Sequence, residues 1–253
     1  KLKGRVSLNN LFYKLLVFYI FFYFNCRFEG MKDYEIPKAL SITEIQEIVQ
    51  TYANTANNAM EAGFDGVEIH SANGYLLDQF LRDATNTRED AYGGTIENRS
   101  RFLFEVIDAV SKKIGSDKVG VRLSPSGTFN DIKDSNPKKL FSYVCDKLNG
   151  CNVAYLHIVD ALEGDIKHGA NVVELSIIRE AYKGVLITCG AYDKQRGSDA
   201  IENNIADAVA YGELYISNPD LVERFQMSAD LNKADLNTYY TQGEKGYTDY
   251  PTL

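Results

Sequence analysis

The 253-residue sequence predicts an α/β fold built on a parallel sheet, and two observations carry that prediction. Five short apolar segments rich in β-branched residues alternate with longer segments whose apolar residues recur at helical spacing. Polar residues and glycines gather where the short segments end, as they do where a parallel sheet presents the C-terminal tips of its strands.

The elements follow in order. Ser41-Ile42-Thr43-Glu44 reads as a capping box that opens a helix reaching about Ala62. Gly66 to His70 is the first strand, bounded by the Ser71-Ala72-Asn73-Gly74 turn. A helix from Glu97 to Lys113 places Phe102, Val106 and Val110 on one face. Val119 to Leu123 is a strand that stops at Ser124-Pro125, and a helix runs from Pro137 to Leu148 with Leu140, Val144 and Leu148 in register. Strand Ala154–Val159, helix Val172–Tyr182 and strand Val185–Thr188 come next. The last unit pairs a helix over Ser198–Asn203 with a strand over Ala208–Ile216, and Asn218-Pro219 opens a closing helix.

Parallel neighbours need helical crossovers of this length, so the pattern favours the TIM (β/α)8-barrel class over a doubly wound sheet. No GxGxxG follows any strand, which counts against the doubly wound rival. Only five of eight βα units are present, so the expectation is an incomplete barrel made of the last five.

Composition narrows the function classes. The formal net charge is −8, with +5 from Lys1, Lys3, Arg5, Lys14 and Arg27 ahead of the first acid, Glu29, leaving −13 on the remainder. Such an acidic body predicts no nucleic-acid surface. Cys26, Cys145, Cys151 and Cys189 show no CxxC spacing and no disulfide density, which predicts free thiols, no metal and a cytoplasmic location. Residues 1–28 form an atypical basic and apolar arm, and residues 29–253 the barrel part. The run Leu15–Phe24 is half the roughly 20 residues a membrane span needs, and no small-x-small cleavage pattern follows. We read the arm as a fragment or mis-specified start rather than a signal peptide or anchor, with no membrane partner expected.

The chemistry concentrates in Gly66–Phe102, GVEIHSANGYLLDQFLRDATNTREDAYGGTIENRSRF. A strand delivers His70 to its tip, Asn73 follows three residues later, and Tyr75 adds a phenol able to give up a proton. A histidine at a strand end and an Asn-Gly turn are ordinary structural features when they stand alone. Here the surrounding Leu76–Leu81, Arg88, Tyr92-Gly93-Gly94 and Glu97-Asn98-Arg99 extend the pattern.

Across that block the chain resembles the old yellow enzyme family of FMN-dependent NAD(P)H:alkene oxidoreductases. The resemblance runs from about Glu29-Gly30 to Leu253, some three-fifths of a full-length member, so the chain reads as N-terminally incomplete. It implies an ene-reductase in which NADPH or NADH reduces FMN and hydride then passes to the activated C=C of a small-molecule alkene such as an enone. His70 and Asn73 would hold the substrate carbonyl oxygen and Tyr75 would donate the proton. Val121-Arg122-Leu123-Ser124-Pro125 implies that Arg122 lies at the flavin pyrimidine edge, where the alternative reading is a buried ion pair with an acid. Gly190, Ala191 and Gly212 match the phosphate-binding positions after the last two strands. Gly246–Pro251 resembles the end of bacterial members that reduce maleimides and nitrate esters, and Tyr240 matches a substrate-pocket tyrosine there. His157 is read as structural.

One position departs from the family pattern: Glu213 follows Gly212 where members carry an arginine. An acid beside a phosphate repels it, and with three strands unaccounted for this supports the alternative of a catalytically impaired or inactive remnant, self-associating through open sheet edges. An aldolase or isomerase on the same barrel would need a Schiff-base lysine or metal ligands at strand ends, and none is evident.

Overall fold

The computed structural model describes residues 37–239 and 241–253. The arm over 1–28 with Cys26, and Tyr240, lie outside the described residues. Five parallel strands form one sheet in the order β1-β2-β3-β4-β5: β1 Val67–Ser71, β2 Val119–Leu123, β3 Tyr155–Val159, β4 Leu186–Cys189 and β5 Ala208–Val209. Sequential order with helical crossovers is the arrangement of consecutive βα units in a TIM barrel, as the sequence predicts.

Helix α1 (Ile42–Glu61) opens on the expected capping box: Ser41 Oγ accepts from Glu44 N, and the Glu44 carboxylate accepts from Ser41 N. Its buried stripe Ile45, Val49, Ala53, Ala56 packs on α3 (Ile96–Ile114), which Thr95 caps and Gly115 ends. α3 in turn presses Leu103, Val106, Ile107 and Val110 into the core shared with Val119, Val121, Leu123, Leu156 and Ile158. Each such side chain, fully buried, contributes about 1.5–3 kcal/mol. α4 (Pro137–Leu148) starts with proline in its first turn, where an N–H would have no helical partner anyway.

The two faces of the sheet differ. Val119, Val121, Leu123, Leu156 and Leu186 are completely buried under the helices. The opposite face carries Glu68, His70, Gly120, Arg122, Tyr155, His157 and Cys189, most of them only half-buried. This second face corresponds to a barrel interior, and the register aligns its side chains in rows: His70 pairs with Arg122, Arg122 with His157, and His157 with Ile187.

Several sequence boundaries need correction. The strand expected over Ala208–Ile216 is two residues long, because the chain turns at Gly212 (φ −97°, ψ −63°) and winds into α8 (Glu213–Ser217). The helix expected from Val172 begins later, as α6 (Leu175–Ala181), since Val173 N donates to Ser126 Oγ at 2.9 Å and keeps the chain extended. The helix expected over Ser198–Asn203 is α7 (Lys194–Glu202), started earlier by Asp193, whose carboxylate accepts from Arg196 N. Two short helices, α2 (Leu76–Leu81) and α5 (Glu163–Lys167), were not expected at all. The closing helix is α9 (Leu221–Met227), three residues beyond Asn218. Among the described residues no helix is long and apolar enough to cross a membrane.

Candidate active site

The tip of β1 is fastened by hydrogen bonds to its backbone. Asn73 has φ +57°, a left-handed conformation asparagine tolerates better than most residues, and Gly74 follows at φ +70°. A Cβ on Gly74 would stand 2.6 Å from Phe129 O, so glycine is required by space as well as by conformation. Asn73 N donates to Ser124 Oγ at 2.7 Å, and Asn73 O accepts from Asn130 Nδ2 at 3.0 Å. These bonds use the asparagine backbone and tie the turn to the end of β2.

Beneath the turn lies a buried ion pair. Asp78, on α2, accepts from Gly74 N and from Arg82 Nε at 3.0 and 2.8 Å, and Arg82 spends its other nitrogens on the carbonyls of Ser124 and Pro125. Both side chains are almost wholly buried, at 0% and 2% exposure. Every charge-bearing atom is therefore matched, which is the condition under which a buried pair holds its geometry. Arg99 fastens the next loop in the same way, through Asp134 at 2.7 Å.

Onto this platform the fold brings His70 and Tyr75 together, ring centroids 5.3 Å apart and tilted by 49°. Burial, then the nearby Arg122 charge, holds the His70 imidazole below its ordinary value of 6.5. His70 is thus a neutral imidazole at neutral pH, able to donate one N–H to an oxygen without carrying charge. His70, Asn73 and Tyr75 share one end of the sheet.

Arg122 sits beside His70 in the register and departs from the ion-pair alternative: its Nη2 donates to Cys189 Sγ at 3.5 Å. Its Nε is buried with no hydrogen-bond partner. A buried donor left unmatched is costly, about 1–3 kcal/mol, so an acceptor-bearing ligand edge fits this position. That is the fit test for the FMN implied by the resemblance, and the guanidinium passes it.

His157, read from sequence as structural, belongs to a charged cluster on the same face. Its Nδ1 lies 2.9 Å from Glu68 Oε2, across Gly120, where a Cβ would run into the Tyr155 ring at 2.2 Å. Burial alone would lower the His157 imidazole, but hydrogen bonds with Cys189 and Glu68 outweigh it and carry it from 6.5 up to about 9. Burial likewise raises the Cys189 thiol, yet His157 and Arg122 overcome that and leave it below its ordinary value. The cluster escaped sequence reasoning because Glu68 and His157 are 89 positions apart and meet only through strand register.

The candidate phosphate positions lie at the far end of the sheet. Gly190 (φ +114°) and Ala191 (φ +52°) form the turn after β4, and Gly212 precedes α8. Glu213 is exposed at the first position of α8. Sequence reasoning missed Arg196, which donates from Nη1 to the carbonyls of Gly190 and Ala191 and from Nη2 to Asp160 at 2.8 Å. Its only sequence signal is its place three residues after the Asp193 cap. Tyr240 cannot be placed, as it lies outside the described residues. No group of His, Cys, Asp or Glu able to hold a metal occurs among the described residues.

Comparison with known proteins agrees with this geometry. The "probable flavin mononucleotide-dependent alkene reductase" of Leishmania infantum is 48% identical over 222 residues, covering 88% of this chain and 60% of that protein. The 12-oxophytodienoate reductase 2 of Arabidopsis thaliana is 46% identical over 221 residues, covering 86% and 59%. The solved structure of morphinone reductase in complex with tetrahydroNAD superposes with a TM-score of 0.81 at 43% identity, over 88% of this chain and 60% of that one. The chain thus spans about three-fifths of the length of the relatives it matches. A family model described as NADH:flavin oxidoreductase / NADH oxidase matches residues 23–232, which include every strand among the described residues and the whole β1 tip, and the chain belongs to that family.

Proposed function

We propose that the chain is the C-terminal part, over residues 29–253, of an FMN-dependent ene-reductase that reduces the activated C=C of small-molecule alkenes such as enones at the expense of NADPH or NADH. The observation that carries the reading is the pairing of His70 and Tyr75 at the β1 tip with the unmatched Arg122 Nε one strand away. Family membership and the named reductases among its relatives support the same chemistry.

FMN, when bound, supplies hydride transfer between the nicotinamide and the alkene. The chain's own residues hold and polarise. Neutral His70 and the Asn73 amide donate to the substrate carbonyl oxygen, and these bonds strengthen as that oxygen gains charge. Tyr75 gives its phenolic proton to the α-carbon. Arg122 would hold the cofactor at its anionic edge. At the phosphate end, Arg196 supplies a cation beside Gly190 and Ala191, and Glu213 opposes it. Tyr240 belongs to the substrate pocket in this reading, and the location is cytoplasmic.

The exposed Glu213 favours a second reading, an impaired remnant that binds flavin poorly and self-associates through β1 and β5, each of which has a single strand neighbour among the described residues. One experiment separates the two. The purified chain, incubated with FMN and desalted, should stay yellow, bleach with NADPH and recolour with an enone. Tyr75→Phe should bleach normally and recolour about 10²–10⁴-fold more slowly. A colourless chain would overturn the first reading in favour of the second.

A further inference from the structure

Cys189 stands apart from the other described cysteines. Cys145 is buried and Cys151 half-buried, and burial pushes both thiols up. Cys189 ends β4 on the inner face, partly exposed, with Arg122 Nη2 3.5 Å from its sulfur. His157 approaches from β3, its ring oriented by Glu68 at 2.9 Å. One buried donor in this cluster, Arg122 Nε, lacks an acceptor, so the surroundings are short of negative charge. The groups facing the sulfur are Arg122 from β2, His157 from β3 and, behind His157, Glu68 and Tyr155; β5 contributes only Ala208 and Val209. Asp160 touches Cys189 through its backbone, its carboxylate being taken by Arg196 and Tyr192.

We propose that Cys189 is a site of covalent modification by electrophilic alkenes, with Arg122 and His157 holding its sulfur as the nucleophile. The assignment stands on the cluster and does not require that flavin bind. The sulfur forms a C–S bond to the β-carbon of an α,β-unsaturated carbonyl as the alkene π bond breaks. The electron pair passes to the α-carbon and carbonyl oxygen, and the imidazolium of His157 returns a proton to the α-carbon. Nothing is oxidised or reduced. The product is a neutral thioether, and Arg122 loses the sulfur anion that faced it.

The test uses the full chain and N-ethylmaleimide at limiting amount, at about pH 6, well below the ordinary thiol range near 8.5. Peptide mass spectrometry reads the adduct on Cys189 against that on Cys151 in the same molecules. Cys189 should react about tenfold faster or more, and the ratio should shrink as pH rises and ordinary thiols ionise. His157→Gln should cut the preference at pH 6; if that variant does not fold, the pH profile of the unaltered chain decides alone. Equal alkylation of the two cysteines, or a ratio that ignores pH, would overturn the proposal. Added FMN distinguishes the flavin reading: protection of Cys189 supports both, and preferential alkylation without protection supports the thiol while counting against flavin at Arg122.

Discussion

The two ends of the sheet are built by opposite means. At the β1 tip, a turn carrying Asn73 and Gly74 is fixed by a buried ion pair, Asp78 with Arg82, that satisfies itself on the backbone of the β2 end. At the β4 and β5 tips, a half-exposed arginine leans on two carbonyls and Asp160, and an acid occupies the first turn of α8. The first end is organised by the protein alone. The second is more exposed, and in the proposed reading it faces the cofactor phosphate. A site that must orient a reacting carbonyl gains from the former, because misplaced donors lose their effect on the transition state.

The comparison breaks most directly on stability. Arg82→Met leaves Asp78 buried without its cation and should cost about 3–5 kcal/mol, read as a lower urea midpoint. Arg196→Gln removes a pair whose arginine is 44% exposed and should cost less than about 1 kcal/mol in the same measurement. Equal losses would show that the two ends do not differ in the way the contacts indicate.

Binding sharpens it next. Glu213→Arg exchanges repulsion for a charge-assisted contact, and FMN affinity in a fluorescence titration should rise about tenfold, or about 1.4 kcal/mol. Arg196→Gln should lower it. If neither substitution moves the affinity, the phosphate does not sit at Gly190, Ala191 and Gly212.

What the sequence disclosed follows the same division. The β1 tip was legible because its parts are close in the chain: the strand, the Asn73-Gly74 turn and Tyr75 fall within nine residues of Val67, and capping boxes and helical spacing are local signals. The β4 and β5 end was misjudged where local signals mislead. Ala208–Ile216 is apolar enough for a strand, yet Gly212 redirects it after two paired residues. Arg196 and the Glu68–His157–Cys189 cluster could not be seen, since Arg196 reaches Asp160 from a helix 36 positions away and the cluster depends on register between strands. α2 is a single six-residue stretch, too short for periodicity to reveal.

The smallest expected effect lies between the two ends, at His157 and Cys189, and it tests whether they act as one charged pair. His157 is raised from 6.5 to about 9, so its contribution is complete below pH 6.5 and is lost as pH climbs through 9. Cys189 is lowered from 9.0, so its contribution is present above 9 and is lost as pH falls through its folded value. Between those limits the folded chain holds a proton on His157 that the unfolded chain has released, and holds the Cys189 proton less tightly than the unfolded chain does. The two slopes oppose each other, and this pair adds little net pH dependence to the unaltered chain. Cys189→Ser removes the opposing slope together with the first of the bonds that raise His157, so the His157 midpoint, read by NMR titration, should fall from about 9. An unchanged midpoint would mean that the Cys189 sulfur does not support the imidazolium.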